Sequence, residues 1–177
     1  MSTLKIRQWA WPFIKKFRTY IDVGAFNGDT SAPFVNDFKR VIAFEPSPIT
    51  FPHIPDTVEK YNVALGNKHE IQTLKVPGGT GNPVHGSLVR YGKGVIEHEV
   101  PVKCLDDYNF EDVDFIKIDV EGAEINVVNG AVNTIVNWKP IVMFENKKGR
   151  NDLVVDFIRN LSYNVKNNKS DWIAWYE

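Results

Sequence analysis

Short apolar runs that end in acids recur along this chain, and most of its predicted elements follow from them. Val41-Ile-Ala-Phe-Glu45 and Ile141-Val-Met-Phe-Glu145 are apolar up to a closing carboxylate, as strands buried on both faces of a parallel sheet read. Asp114-Phe-Ile-Lys-Ile-Asp119 has the same character. It leads through Val120-Glu121-Gly122-Ala123-Glu124 to Ile125, Val128, Ala131, Val132 and Ile135, whose spacing predicts one helix closed by Trp138-Lys-Pro140. Tyr20 to Val23 predicts a first strand, with Gly24 and Gly28 in the turn after it. Asp29, Thr30 and Ser31 are placed to cap a helix over Ala32 to Phe38 that carries Phe34, Val35 and Phe38 on one face.

The remaining pattern is less regular. Residues 49 to 57 are proline-rich and predict an irregular connection in place of a long second helix. Lys60 to Leu65 and Ile71 to Val76 are strand candidates around a Gly66-Asn67 turn. Glu97 to Leu105 alternates, with Val100, Val102 and Cys104 on one face. Pro77 to Gly94 is rich in glycine and opens an insertion over 77–99. It lacks Gly-Lys-Ser/Thr, so a substrate-facing loop is expected, with His85 and Ser87 as candidate acceptor contacts. Val154 to Leu161 predicts an amphipathic helix, and Tyr163 to Val165 with Trp172 to Tyr176 a closing hairpin around residues 167–170.

Strands alternating with helices indicate an α/β fold, and its strand ends carry the candidate chemistry. Glu45, Asp119, Glu121 and Glu145 follow apolar strands and converge on one sheet edge. In Gly24-Ala-Phe-Asn-Gly28 the second glycine of the dinucleotide pattern G-x-G-x-x-G is missing, which favours a single nucleoside and counts against a nicotinamide oxidoreductase. Glu45 follows Gly24 by about twenty residues, the separation at which an acid can accept hydrogen bonds from ribose hydroxyls.

Composition removes several other classes. With 177 residues, 21 Lys+Arg against 22 Asp+Glu and a net charge of −1, a single domain over 1–177 is expected, with no footprint for coating nucleic acid. Cys104 is the only cysteine, so no intramolecular disulfide is available, and a packed thiol in a strand is the expectation. His53, His69, His85 and His98 have no metal-ligand spacing, and no structural zinc is expected. No run is long enough to span a bilayer, and a cytoplasmic location is the default. Residues 1–18 interleave Lys5, Arg7, Lys15, Lys16 and Arg18 with Trp9, Trp11 and Phe13. That segment suits packing on the domain edge, with contact to a membrane surface or to nucleic acid as the alternative, and Pro12 interrupts any long helix.

Five collinear pieces give the chain a family resemblance. Ile21-Asp-Val-Gly-Ala-Phe-Asn-Gly-Asp-Thr30, Ala43-Phe-Glu-Pro46, Asn62-Val-Ala-Leu-Gly66, Phe115-Ile-Lys-Ile-Asp-Val-Glu-Gly-Ala-Glu124 and Lys139-Pro-Ile-Val-Met-Phe-Glu145 together resemble the FkbM family of S-adenosylmethionine-dependent methyltransferases. The resemblance implies a class I methyltransferase fold, a three-layer sandwich around a mostly parallel seven-stranded sheet with an antiparallel last strand. It also implies methyl transfer to an oxygen, commonly on a sugar, glycan or small natural product. Asp22, Gly24, Asn27, Gly28 and Thr30 would surround the methionine part of S-adenosylmethionine, Glu45 with Pro46 and Ser47 its ribose, and Ala64 its adenine. Asp119 and Glu121 would face the sulfonium and the acceptor. A base for the acceptor proton is expected among Glu121, Glu145 and His85, with Glu121 first; the alternative for Glu121 is a role in shaping the turn. A divalent metal on Asp119, Glu121 and Glu145 is a less favoured reading, as is a cofactor-binding domain without catalysis.

Overall fold

The computed structural model describes residues 1–77, 95–145 and 152–177. His85, Ser87 and most of the glycine-rich stretch lie outside the described residues. In chain order the elements are α1 (Thr3–Ala10), β1 (Thr19–Val23), β2 (Arg40–Phe44), β3 (Glu59–Tyr61), β4 (Ala64–Leu65), β5 (Glu70–Pro77), β6 (Val95–Lys103), β7 (Val113–Ile118), α2 (Glu124–Asn129), α3 (Val132–Trp138), β8 (Ile141–Glu145), α4 (Asp152–Asn160), β9 (Tyr163–Asn168) and β10 (Asp171–Tyr176). Seven strands form one sheet in the order β3-β2-β1-β7-β8-β10-β9. Only β10 runs against the rest, because it pairs antiparallel with both β8 and β9. The mostly parallel sheet and the closing hairpin are thus as expected.

The apolar runs become the centre of this sheet. All five residues of β1 are buried, and so are four of five in β2 and in β8. One face, with Ile21, Val23, Phe44, Ile116 and Phe144, packs against Val127, Val128 and Ile135 of α2 and α3 and Val154 and Ile158 of α4. The other, with Tyr20, Ala43, Phe115 and Met143, packs against Ile6 and Ala10 of α1 and against Phe34, Phe38 and Ile54.

Residues 1–18 thus pack on the domain and contribute Ile6, Ala10 and Ile14 to its core. Trp11 lies against Phe17, Phe34 and Phe38, and Phe13 against Trp175. Lys5 pairs with Asp171, Arg7 with Asp37, and Arg18 with Asp112 and Asp114. Packing carries the attachment: burying Ile6, which is fully buried, contributes about 1.5–3 kcal/mol, against about 0–1 kcal/mol for a half-exposed pair such as Arg7–Asp37.

Four expectations need correction. The helix over Ala32 to Phe38 is a 3-10 turn, Ala32–Phe34, followed by further turns. The Ser31 hydroxyl bonds Asp22 instead of capping, so the turn starts without a side-chain cap. Lys60 to Leu65 is two strands. β3 joins the large sheet, whereas β4 joins a separate three-stranded sheet in the order β4-β6-β5.

The predicted helix from Ile125 to Trp138 breaks at Gly130. A Cβ there would lie 1.8 Å from the Gly66 carbonyl oxygen, and Asp106 supplies α3 with a cap through the Asn133 N–H at 2.9 Å and the Thr134 N–H at 2.8 Å. Cys104 falls after the end of β6, not in the strand, and opens the 3-10 turn Leu105–Tyr108.

Candidate active site

The carboxyl ends of β1, β2, β7 and β8 meet along one edge, and the glycine turn bends over them. Gly24 has φ +78°, and its N–H donates to the Phe44 carbonyl at 2.9 Å. A Cβ on Gly24 would stand 2.1 Å from the Asp119 carbonyl oxygen, so the contact between the β1 and β7 ends requires glycine. Gly28, at φ +85°, turns the chain back. Asn27 closes a local turn by accepting from the Asp29 N–H at 3.2 Å. Below the turn an apolar cleft is lined by Gly24, Phe44, Pro46, Val63, Ala64 and Leu74. Three expected positions, Gly24, Pro46 and Ala64, therefore share one cleft.

Glu45 is 8% exposed, and its carboxylate is already engaged. Oε1 accepts from the Ser47 N–H at 2.9 Å and the Thr50 hydroxyl at 3.0 Å, and Oε2 from the Phe26 N–H at 2.8 Å. Those donors lock the end of β2 to the glycine turn and leave acceptor capacity on Oε2. Burial pushes the Glu45 carboxyl above its ordinary value, against the pull of the Ser47, Phe26 and Thr50 hydrogen bonds. Asn62 adds a strut by donating to the Glu45 carbonyl at 2.8 Å.

Asp22 is fully buried and turned inward. Its Oδ2 accepts from the Thr30 hydroxyl at 2.8 Å and the Ser31 hydroxyl at 2.6 Å, and its Oδ1 from Lys117 Nζ at 2.8 Å. Asp22 and Lys117 are register partners on β1 and β7, so the pair is built into the sheet. Burial works against the Lys117 ammonium, but Asp22 and then Asp119 outweigh it and hold its pKa above the ordinary value. Asp22, Thr30, Ser31 and Lys117 thus brace the turn from beneath.

Lys117 is a structural partner of the site that the sequence motifs do not point to. The signal available in sequence was a lone cation inside an apolar strand, matched by a lone acid in β1.

The carboxylate oxygens of Asp119, Glu121 and Glu145 lie within 4.8 Å of one another. The three acids expected to carry the chemistry are thus brought together, and as hard oxygen donors they could also hold a divalent cation. Asp119 Oδ2 stands 3.9 Å from Lys117 Nζ and 3.2 Å from the Met1 amino group. Glu121 has φ +54°, an uncommon conformation for a residue with a side chain. Glu124, missed as a site residue, is 3% exposed and accepts from the Gly122 N–H at 3.0 Å; burial raises its carboxyl above the ordinary value, opposed by that bond.

Residues 22–165 match the methyltransferase FkbM domain. The chain belongs to the FkbM methyltransferase family. Its structure superposes on the FkbM methyltransferase from Methylobacillus flagellatus KT with a TM-score of 0.67 and 18% identity, over 99% of this chain and 48% of that one. The chain thus spans about half the length of that FkbM relative. A precorrin-6y C5,15-methyltransferase from Geobacter metallireducens GS-15 gives a TM-score of 0.56 at 13% identity, over 98% of this chain and 87% of that one. An rRNA methylase from Streptococcus thermophilus gives 0.54 at 8%, over 94% and 91%. No curated protein matches by sequence. At these identities the likeness establishes the class I methyltransferase fold, shared by proteins whose names span different acceptors. Among the described residues, no helix is long and apolar enough to cross a membrane.

Proposed function

We propose that this FkbM protein is an S-adenosylmethionine-dependent O-methyltransferase acting on a hydroxyl of a sugar, a glycan or a small natural product. The observation that carries the reading is the junction of the Gly24 turn, the apolar cleft and the three-carboxylate cluster at one sheet edge. Ala64 and Leu74 offer apolar walls for the donor's adenine ring and Gly24 lets backbone approach closely, while Glu45, at the end of β2 beside the cleft, retains acceptor capacity on Oε2 for a ribose hydroxyl. Pro46 and Ser47 hold Glu45 in place from the following turn. Asn27 and Gly28 shape the loop toward the methionine end, and Asp22 and Thr30 support it from below. When bound, S-adenosylmethionine supplies a methyl group activated by its sulfonium charge.

The remaining chemistry belongs to the acids. Asp119 places negative charge at the strand end beside the Gly24 turn, where it favours a cationic donor. Glu121 holds the proton released by the acceptor hydroxyl, and Glu145 orients that hydroxyl. The acceptor class rests on the family resemblance together with a cluster fit to receive a hydroxyl proton.

Calorimetry with S-adenosylhomocysteine against NAD tests the cofactor, and absence of S-adenosylhomocysteine binding would sink the proposal. Methyl transfer to a panel of glycans and cell-extract acceptors tests the reaction. Binding without turnover on any of them would make the protein a cofactor-binding domain. Glu121→Gln is expected to leave S-adenosylhomocysteine affinity unchanged and to slow transfer by about 10²–10⁴-fold. Full turnover in that variant would remove Glu121 as the base.

Glu45→Ala is expected to weaken S-adenosylhomocysteine binding by about 10- to 150-fold, the range for lost hydrogen bonds to a charged group. The same site has a pH signature. Ribose binding favours the carboxylate, and the Glu45 pKa is raised, so affinity should fall on acidification while the pH is still above the ordinary glutamate value. A flat profile down to that value would show that Glu45 does not hold the ligand in its charged form.

A further inference from the structure

At the open end of the β5–β6 hairpin, in the segment that leads on to β7, three donors of different chemistry converge. His69 precedes β5, Cys104 follows β6, and Asp107 lies in the 3-10 turn after it. The register of the β5–β6 hairpin pairs Glu70 with Val102, which carries His69 and Cys104 to the same open end. His69 Nε2 stands 2.6 Å from Asp107 Oδ2, and that oxygen also accepts from the Cys104 N–H at 2.9 Å. The imidazole nitrogen, the thiol sulfur and a carboxylate oxygen all lie within 4.8 Å of one another.

We propose that His69, Cys104 and Asp107 form a binding site for a divalent transition metal of borderline softness, with Zn²⁺ the best match. One sulfur, one imidazole nitrogen and one carboxylate oxygen is a donor set that zinc accepts and that Mg²⁺ and Ca²⁺, which take oxygen, do not. Tetrahedral bonds of about 2.0–2.3 Å put neighbouring donor atoms roughly 3.3–3.6 Å apart. His69 would therefore move away from Asp107, from 2.6 Å to that spacing. The His69 and Asp107 side chains, 66% and 40% exposed, have room for these rotations. Coordination forms a metal–sulfur bond and releases the thiol proton to solvent, and water fills the fourth position. Asp106 and Asp107 add negative charge at the site.

The site is distinct from the carboxylate cluster and independent of the proposed reaction. Its consequence is structural. A metal held by residues on both sides of the hairpin would clip the base of the small sheet, whose β4 and β5 contribute Ala64, Leu65 and Leu74 to the cleft. Sequence spacing could not reveal this, because His69 is far from Cys104 along the chain.

Cys104 is the only thiol, which makes the test specific. The reduced 177-residue chain is titrated with ZnCl₂ by calorimetry, and thiol labelling of Cys104 is followed with and without zinc. The expected result is one zinc per chain, protection of the thiol, a raised Tm and, with Co²⁺, a thiolate-to-cobalt charge-transfer band. His69→Ala and Cys104→Ser, at exposed and half-buried positions, should each weaken binding by at least the roughly 10–100-fold that loss of an outer-sphere partner costs. Zinc binding that leaves the thiol labelled at its original rate, that survives both variants, or that is lost in Glu121→Gln instead would overturn the assignment. So would an absence of binding at about 100 μM zinc, which is weaker than a built site of three protein donors should be.

Discussion

Replacing Lys117 by methionine lowers the stability of the protein by about 3–5 kcal/mol, which for a chain of this length is a fall of roughly 6–20 °C in Tm. The large effect has one cause. Lys117 and Asp22 are 1% and 0% exposed and face each other across β1 and β7, so removing the ammonium leaves a carboxylate buried without its counter-charge. The Thr30 and Ser31 hydroxyls still donate to Asp22, but neither supplies charge. Combining Lys117→Met with Asp22→Asn should therefore recover part of the loss, because no net charge then remains buried.

Because the Lys117 pKa is raised on folding, its stabilisation is complete below the ordinary lysine value of 10.5 and is lost as pH climbs through the raised value. Thermal melts of the single and double variants at neutral pH provide the check. A Lys117→Met protein that melts with the wild type, or a double variant less stable than the single one, would show that the pair does not hold the sheet.

Gly24→Ala should abolish measurable S-adenosylhomocysteine binding and destabilise the fold, whereas Gly122→Ala should cost much less on both counts. The two glycines share a positive φ, +78° and +110°, so each substitution carries backbone strain of about 1–3 kcal/mol. They differ in what a Cβ meets. At Gly24 it would sit 2.1 Å from the Asp119 carbonyl oxygen, which is main chain and cannot rotate away; at Gly122 nothing lies within 4 Å. The clash separates the ends of β1 and β7 and displaces Asp119 from its place beside the Gly24 turn. Calorimetry and thermal melts on the two variants side by side check this. Equal losses would mean that backbone strain alone, and not the close approach, sets the requirement for glycine.

The sheet edge was legible because its information is local. An apolar run ending in an acid states both that the strand is buried and where its exposed end lies, which fixed Glu45, Asp119, Glu121 and Glu145 on one edge. Gly24 was legible for the same reason, as the turn follows its strand directly.

What escaped depends on register or on contacts distant in sequence. The inward orientation of Asp22 follows from Lys117 being its neighbour on β7, which no periodicity in β1 reveals. The break at Gly130 follows from the Gly66 carbonyl, whereas the apolar spacing runs on through it. The 3-10 turn at Ala32–Phe34 shows the converse, since spacing identified Phe34 and Phe38 as core residues but not the backbone that buries them. The second sheet was hidden because Asn62 and Val63 look like the middle of a strand when they are the crossing between two.

The strand order also determines how the protein meets its neighbours in a crowded solution. Among the described residues the seven-stranded sheet has two border strands, and the outer amides of such strands can recruit strands from other molecules. One border is β3, which offers three residues and carries the charged side chains of Glu59 and Lys60, the first paired with Arg40 and the second with Asp56. The other is β9, where Lys166, Asn167 and Asn168 are exposed along the far half of the strand. Because β10 is inserted between β8 and β9, the apolar Ile173 and Ala174 lie inside the sheet and the polar strand outside it. The hairpin thus acts as a guard against edge-to-edge aggregation, a property of the fold separate from any reaction it performs.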